Sequence, residues 1–135
     1  KNINKLIYFI GKYMIKSRGI RGATTAEDNT KESIINATKE LLSQMVDSNN
    51  VCLEDISFAI FTTTKDLNAE FPALAARLLG WENIALMCAH EIDVPEAQEL
   101  CIRILLTINT DKSQKELINV YLKNAVNLKS RGITE

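Results

Sequence analysis

Arginine stands where this chain reads as β-strand, and a guanidinium on a sheet face is well suited to holding an anion. One segment is Arg18-Gly-Ile-Arg21-Gly-Ala-Thr-Thr25; the other is Cys101-Ile-Arg103-Ile-Leu-Leu-Thr107. The guanidinium keeps its charge at any ordinary pH, so one lodged among apolar strand residues needs an anionic partner. Period-two alternation puts Ile102, Ile104, Leu106 and Ile108 on one face and Cys101, Arg103, Leu105 and Thr107 on the other. The first face is core. The second offers a cation among modest-sized neighbours, as a small acidic ligand requires. A structural ion pair with a nearby Asp or Glu would meet the same need, and from the strand alone both readings stay open.

Other chemistries lack their parts. The cysteines are Cys52, Cys88 and Cys101, an odd count without a Cys-x-x-Cys pair, and His90 is the single histidine. Neither a disulfide framework nor a metal site follows from that set, and no cofactor motif is present. A reducing, cytoplasmic setting is expected. Cys88 and His90 lie two apart, which invites a thiol nucleophile, but no orienting group or oxyanion site accompanies them. Taken alone, Cys88 reads as a small buried hydrophobe, Glu91 as a solvated loop acid and Phe71 beside Pro72 as a hydrophobic staple. A formal net charge of −1 argues against nucleic-acid binding. At 135 residues the chain is expected to be one domain. Its first 13 residues have a basic start and a short apolar run, interrupted by Lys12 and too short to span a bilayer. They are expected to be an extension ahead of Met14, native or a start-site artefact, their order left open, rather than a signal peptide or membrane anchor.

The elements that must position these residues follow from periodicity and caps. A strand is expected over about Met14 to Thr24. A helix follows, capped by Asn29 with Glu32 as reciprocal partner and burying Ile34, Ile35, Thr38, Leu41, Leu42, Met45 and Val46. A β-rich strand spans about Ser57 to Thr63, and a short helix runs from Pro72 to Leu79, stopped by Gly80. Further strands are expected at Ile84 to Cys88 and around Arg103. The box Ser113-Gln-Lys-Glu116 predicts a helix to about Leu122, carrying Tyr121 on a core face, and Ala125 to Leu128 a last strand. That order implies an α+β fold, a single mixed sheet packed against helices.

Six stretches in register carry a resemblance: Arg18 to Thr25, Asp66 to Ala73 with Arg77, Gly80-Trp81, Cys88 with Glu91 and Asp93, Cys101-Ile-Arg103, and Val120-Tyr-Leu122. Together they resemble the monofunctional bacterial chorismate mutases of the trimeric AroH type, over about Met14 to Leu128. The resemblance implies a domain over residues 14–129 with a tail at 130–135. It implies a homotrimeric pseudo-α/β-barrel with sites between subunits, and the rearrangement of chorismate to prephenate towards phenylalanine and tyrosine. It needs no metal or cofactor. By position, Arg103 is directed at the ether oxygen and a carboxylate, and Arg21 at a carboxylate with Tyr121 beside it. Glu91 orients the ring hydroxyl, assisted by Cys88. Phe71, Ala73 and Arg77 come from the neighbouring subunit, and Leu128 forms an apolar wall. Leu74, Met87 and Lys65 depart from the family's lysine, small polar residue and proline. The competing expectations are a non-catalytic trimeric binder of small carboxylates and an acid-binding hydrolase using Cys88.

Overall fold

The computed structural model describes residues 2–130, apart from the side chains of Lys12 and Tyr13. Five strands form one sheet in the order β3-β2-β4-β1-β5: β1 (Lys16–Thr25), β2 (Ile56–Thr63), β3 (Ala85–His90), β4 (Cys101–Thr110) and β5 (Val120–Tyr121). Strand β4 lies centrally and runs antiparallel to both β1 and β2, while β2/β3 and β1/β5 are parallel pairs. The short helix α3 (Ala73–Leu78) lies in the crossover that a parallel β2/β3 pair requires. This is the mixed α+β sheet expected from the pattern. No helix among the described residues is long and apolar enough to cross a membrane.

Helices cover one face of the sheet. Helix α2 (Lys31–Asn49) buries Ile34, Leu41, Leu42 and Met45; the last three meet Ile20, Ala59, Phe61, Ile104, Leu106 and Trp81 in the main core, while Ile34 packs with Ala26, Leu67 and Ile102 in a second cluster. The alternation in β4 is realised: Ile102, Ile104, Leu106 and Ile108 are buried, whereas Arg103 and Leu105 are exposed on the other side. No α-helix among the described residues covers that other side. Phe58, Met87 and Leu105 share it through the strand register and are 37%, 59% and 40% exposed. The expected extension forms helix α1 (Ile3–Tyr13), on which Ile3, Leu6, Ile7 and Ile10 are exposed. Beyond Ser130, the expected tail lies outside the described residues.

Several local expectations give way to tertiary demands. Thr30, not Asn29, caps α2, its Oγ1 accepting from the Ser33 N–H at 3.2 Å. Asn29 instead accepts from the backbone N–H groups of Asn68 and Ala69 at 2.9 and 3.0 Å, tethering the loop that leads to Phe71. The Ser113/Glu116 box forms, but it opens only a single 3₁₀ turn at Gln114–Glu116. Strand β1 has a free edge there, and a helix through Leu122 would leave it unpaired. The Gln114 amide pairs with both N–H and C=O of Gly19, and Asn119 Oδ1 accepts from the Arg21 N–H at 2.8 Å. The chain then continues extended as β5, so Tyr121 lies on a strand rather than a helix. Ala125 to Leu128, expected as a strand, falls in a 3₁₀ helix over Lys123–Lys129. Three residues apart, the buried Ala125 and half-buried Leu128 fit that three-residue turn.

At Gly22 β1 passes close to α2: a Cβ there would run into Met45 Sδ and Leu41 Cδ1. Gly22→Ala is therefore expected to cost about 1–3 kcal/mol, because the packed core resists overfilling. Denaturant titration should give a lower midpoint with an unchanged slope.

Candidate active site

The uncovered face carries a cleft of about 300 Å3 at the junction of β2, β4, β1 and β5. Arg103 is at its centre because β4 is central. Its neighbours in register are Ala23 on β1 and Thr62 on β2, and Ala23 leaves room above the guanidinium. Arg21 sits one alternation away, opposite Leu105, and Tyr121 lies beside Ala23 on β5. Leu128 closes one side from the 3₁₀ helix. Glu91 arrives just past the end of β3, where its N–H donates to Thr63 O at 2.8 Å and prolongs the β2/β3 ladder by one residue. Arg21, Glu91, Arg103, Tyr121 and Leu128 thus meet in one place.

Within this cleft Arg103 Nε donates to Glu91 Oε2 in a short ion pair, and Thr62 Oγ1 donates to the same oxygen at 2.7 Å. The Arg103 guanidinium pulls the Glu91 carboxyl below its ordinary range; burial opposes this and the Thr62 hydroxyl assists it. Glu91 is thus a carboxylate at neutral pH, and Arg103 is held still more firmly as a cation by its partner. Both readings of a strand arginine apply at once. Arg103 has its ion pair, yet the site keeps excess positive charge, because Arg21 makes no ion pair among the described residues. Thr62 had no signal in the sequence beyond its alternation with Ile60; its register against Arg103 appears only in the fold.

Phe71, Ala73, Arg77 and Cys88 lie elsewhere in the same chain. They line a second cleft of about 370 Å3 where α3 meets the edge strand β3, together with Leu74 and Met87. The two clefts share no lining residue. Cys88, expected beside Glu91, thus faces Arg77 instead, as a residue three places before Glu91 on an alternating strand must. Burial raises its thiol above the usual range, against the lowering effects of the Ala73 backbone and Arg77. His90 lines a cleft next to it, with Nδ1 3.1 Å from Thr63 Oγ1. His90 makes no hydrogen bond to this thiol among the described residues, and a thiol that stays protonated is a poor nucleophile. Burial likewise pushes Cys101 to about 11. Lys65 is ion-paired with Asp93 at 2.7 Å on the exposed loop side.

A mixed sheet covered on one face, with fixed guanidinium groups and one ionised carboxylate on the other, defines a small α+β protein equipped to hold an anionic molecule. Residues 17–131 match the sequence profile of the family described as chorismate mutase type I. The chain is 42% identical over 113 residues to chorismate mutase AroH of Bacillus subtilis (strain 168), covering 83% of this chain and 89% of that protein. It is 44% identical over 113 residues to chorismate mutase AroH of Thermus thermophilus, covering 83% and 93%. A solved chorismate mutase from Clostridium thermocellum matches with a TM-score of 0.78 at 51% identity, over 79% of this chain and 96% of that one. The chain belongs to the chorismate mutase type I family and is an enzyme of the isomerase class.

The ion pair makes stability depend on pH in a defined direction. A carboxyl whose folded value lies below the ordinary 4.5 stabilises the fold above that value, and the contribution is lost as pH falls through the folded value. Arg103→Ala removes the chief cause of the depression. The stability gap between wild type and variant, read by thermal melts across the acid range, should be widest above pH 4.5 and close as pH falls. A gap that widens on acidification would contradict the pairing.

Proposed function

We propose that the chain rearranges chorismate to prephenate at sites shared between neighbouring subunits of a closed homotrimer, in the cytoplasm, as a branch step towards phenylalanine and tyrosine. The catalytic domain spans residues 14–129, and residues 1–13 are an extension to it. The observation that carries the reading is the division of the site residues. One chain gathers Arg21, Glu91, Arg103, Tyr121 and Leu128 in one cleft and Phe71, Ala73, Arg77 and Cys88 in another. A head-to-tail ring joins unlike surfaces and closes without leaving either free. The bare sheet face, with Phe58, Met87 and Leu105 exposed, is an apolar surface of the kind that assembly covers.

The substrate is a dicarboxylate with a ring hydroxyl and an ether oxygen. Its rearrangement breaks the ether carbon–oxygen bond as a carbon–carbon bond forms, within one molecule and without proton transfer. Negative charge builds on the ether oxygen as that bond breaks. Arg103, preplaced and permanently charged, stabilises this state more than the ground state. Arg21, with Tyr121, and Arg77 from the neighbour hold the carboxylates; Glu91 accepts from the ring hydroxyl, and Cys88 reaches that hydroxyl from the neighbouring subunit. Phe71, Ala73 and Leu128 form apolar walls. Together they select the folded conformer in which the reacting ends meet, an orientation effect. A simple carboxylate binder would need an arginine or two but no acid aimed at a hydroxyl. Leu74 puts an apolar side chain beside Arg77, so the second cleft draws in the dianion with Arg77 alone.

Arg103→Ala should lose about 10²–10³ in kcat while keeping its fold and assembly, because the lost donor acts on developing charge. The shared site has its own test. Arg77→Ala and Arg103→Ala, each nearly inactive alone, are unfolded and reassembled together, and random mixing leaves about one quarter of the interfaces with both arginines. Recovered turnover supports sites built from two chains. No recovery in mixed trimers, or a monomer that turns over chorismate, contradicts it.

A further inference from the structure

We infer that Thr62 is a positioning residue for the rearrangement, its hydroxyl holding one oxygen of Glu91 inside the protein so that the other is presented to the substrate. The inference rests on the reading of the site proposed above and goes beyond it to a residue that touches no reacting atom. Thr62 lies near the end of β2, in register with Arg103 of β4 on one side and Ala89 of β3 on the other. Its Oγ1 donates to Glu91 Oε2 at 2.7 Å, the oxygen that Arg103 Nε also engages. Among the described residues, Oε1 accepts no hydrogen bond.

A carboxylate held by a single donor turns readily about its last torsion, which is broad and roughly two-fold. A second donor from a neighbouring strand removes that freedom. Threonine suits the task, because its branched side chain is stiff about χ1. The backbone is tied at the same point, where the Glu91 N–H meets Thr63 O. The consequence reaches Arg103 as well. The guanidinium meets Glu91 through Nε, and its terminal nitrogens make no hydrogen bond among the described residues. An unanchored carboxylate could swing onto those nitrogens in a bidentate pair, the geometry guanidinium and carboxylate favour. That would occupy the donors the ether oxygen needs. Thr62 keeps the pair from collapsing on itself.

Two substitutions separate the hydroxyl from its shape. Thr62→Val keeps the β-branch and removes the donor; Thr62→Ser keeps the donor. Thr62→Val should lower kcat about tenfold, the scale of one hydrogen bond to a charged group, and Thr62→Ser should retain most of it. A second readout needs no turnover: the Glu91 carboxyl followed by NMR through an acid titration of the ligand-free protein. A donor to the ionised form lowers the titration point, so its removal should raise it in the valine variant and leave the serine variant near wild type. Glu91 is faced by Arg103 and Cys101 from β4, Arg21 from β1, Tyr121 from β5, and Lys65, Asp66, Asp93, Glu96 and Glu99 from the loops; both variants leave all of these in place. Wild-type kcat with an unmoved titration in Thr62→Val overturns the inference, and so does an equal loss of kcat in both variants, which would mark a packing role. A wild-type protein that leaves chorismate unchanged sinks the functional reading instead. The titration then decides the Thr62–Glu91 link alone: a raised value in the valine variant supports it, an unmoved one overturns it.

Discussion

The structure depends on a cation that cannot be neutralised, set on the central strand of a sheet face that no α-helix covers among the described residues. Arg103 occupies the central strand, so every neighbouring strand has to accommodate it. Ala23 provides space on one side, Thr62 a hydroxyl on the other, and Glu91 the opposite charge at the end of β3. An ion pair this open to water contributes little to stability. What it supplies is direction: a guanidinium held through Nε has its remaining donors aimed into the cleft, and a carboxylate held through one oxygen has the other available. The covered face makes this possible. Phe61, Leu106, Ile20 and Leu41 are fully buried beneath the sheet, each contributing about 1.5–3 kcal/mol, so the strands keep their positions without help from the open side.

The same arrangement divides the cations of one chain between two clefts. Arg21 and Arg103 lie on the sheet face, whereas Arg77 lies across the fold, against the edge strand. On the proposed reading, a substrate with two carboxylates needs cations on more than one side, and a ring of like subunits would bring them together. On that reading electrostatics does the chemistry. Fixed charges placed before the reaction need no reorganisation as charge moves, and that matches a rearrangement in which no proton is exchanged. The raised Cys88 thiol, protonated and hydrogen-bonded to no base among the described residues, fits a substrate contact better than a nucleophile.

How much of this was legible depended on whether local pattern or long-range register decided the outcome. The two faces of β4 were legible because alternation is local, and so was the buried stripe of α2. The cap was misassigned by one residue, since Asn29 and Thr30 both suit the role and the loop around Asn68 claimed the first. The segment after Ser113 was illegible. Its capping box is a genuine helix signal, yet the free edge of β1 had more to offer, and Gln114 and Asn119 spend their amides on it. Placing Tyr121 on a helix followed from that misreading. At the site, the arginines declared themselves through residue type, but Glu91 and Tyr121 stood out only through family resemblance. Thr62 stood out through neither, because a threonine in a strand is ordinary until the strand opposite it is known.

The central claim is that fixed charges act on a held substrate with no proton in flight. It is tested most directly by a single turnover of chorismate, followed to prephenate, in ordinary and in heavy water. The account predicts prephenate appearing in step with chorismate loss and at the same rate in both solvents. A distinctly slower chemical step in heavy water, or a hydrolysis product in place of prephenate, would contradict it.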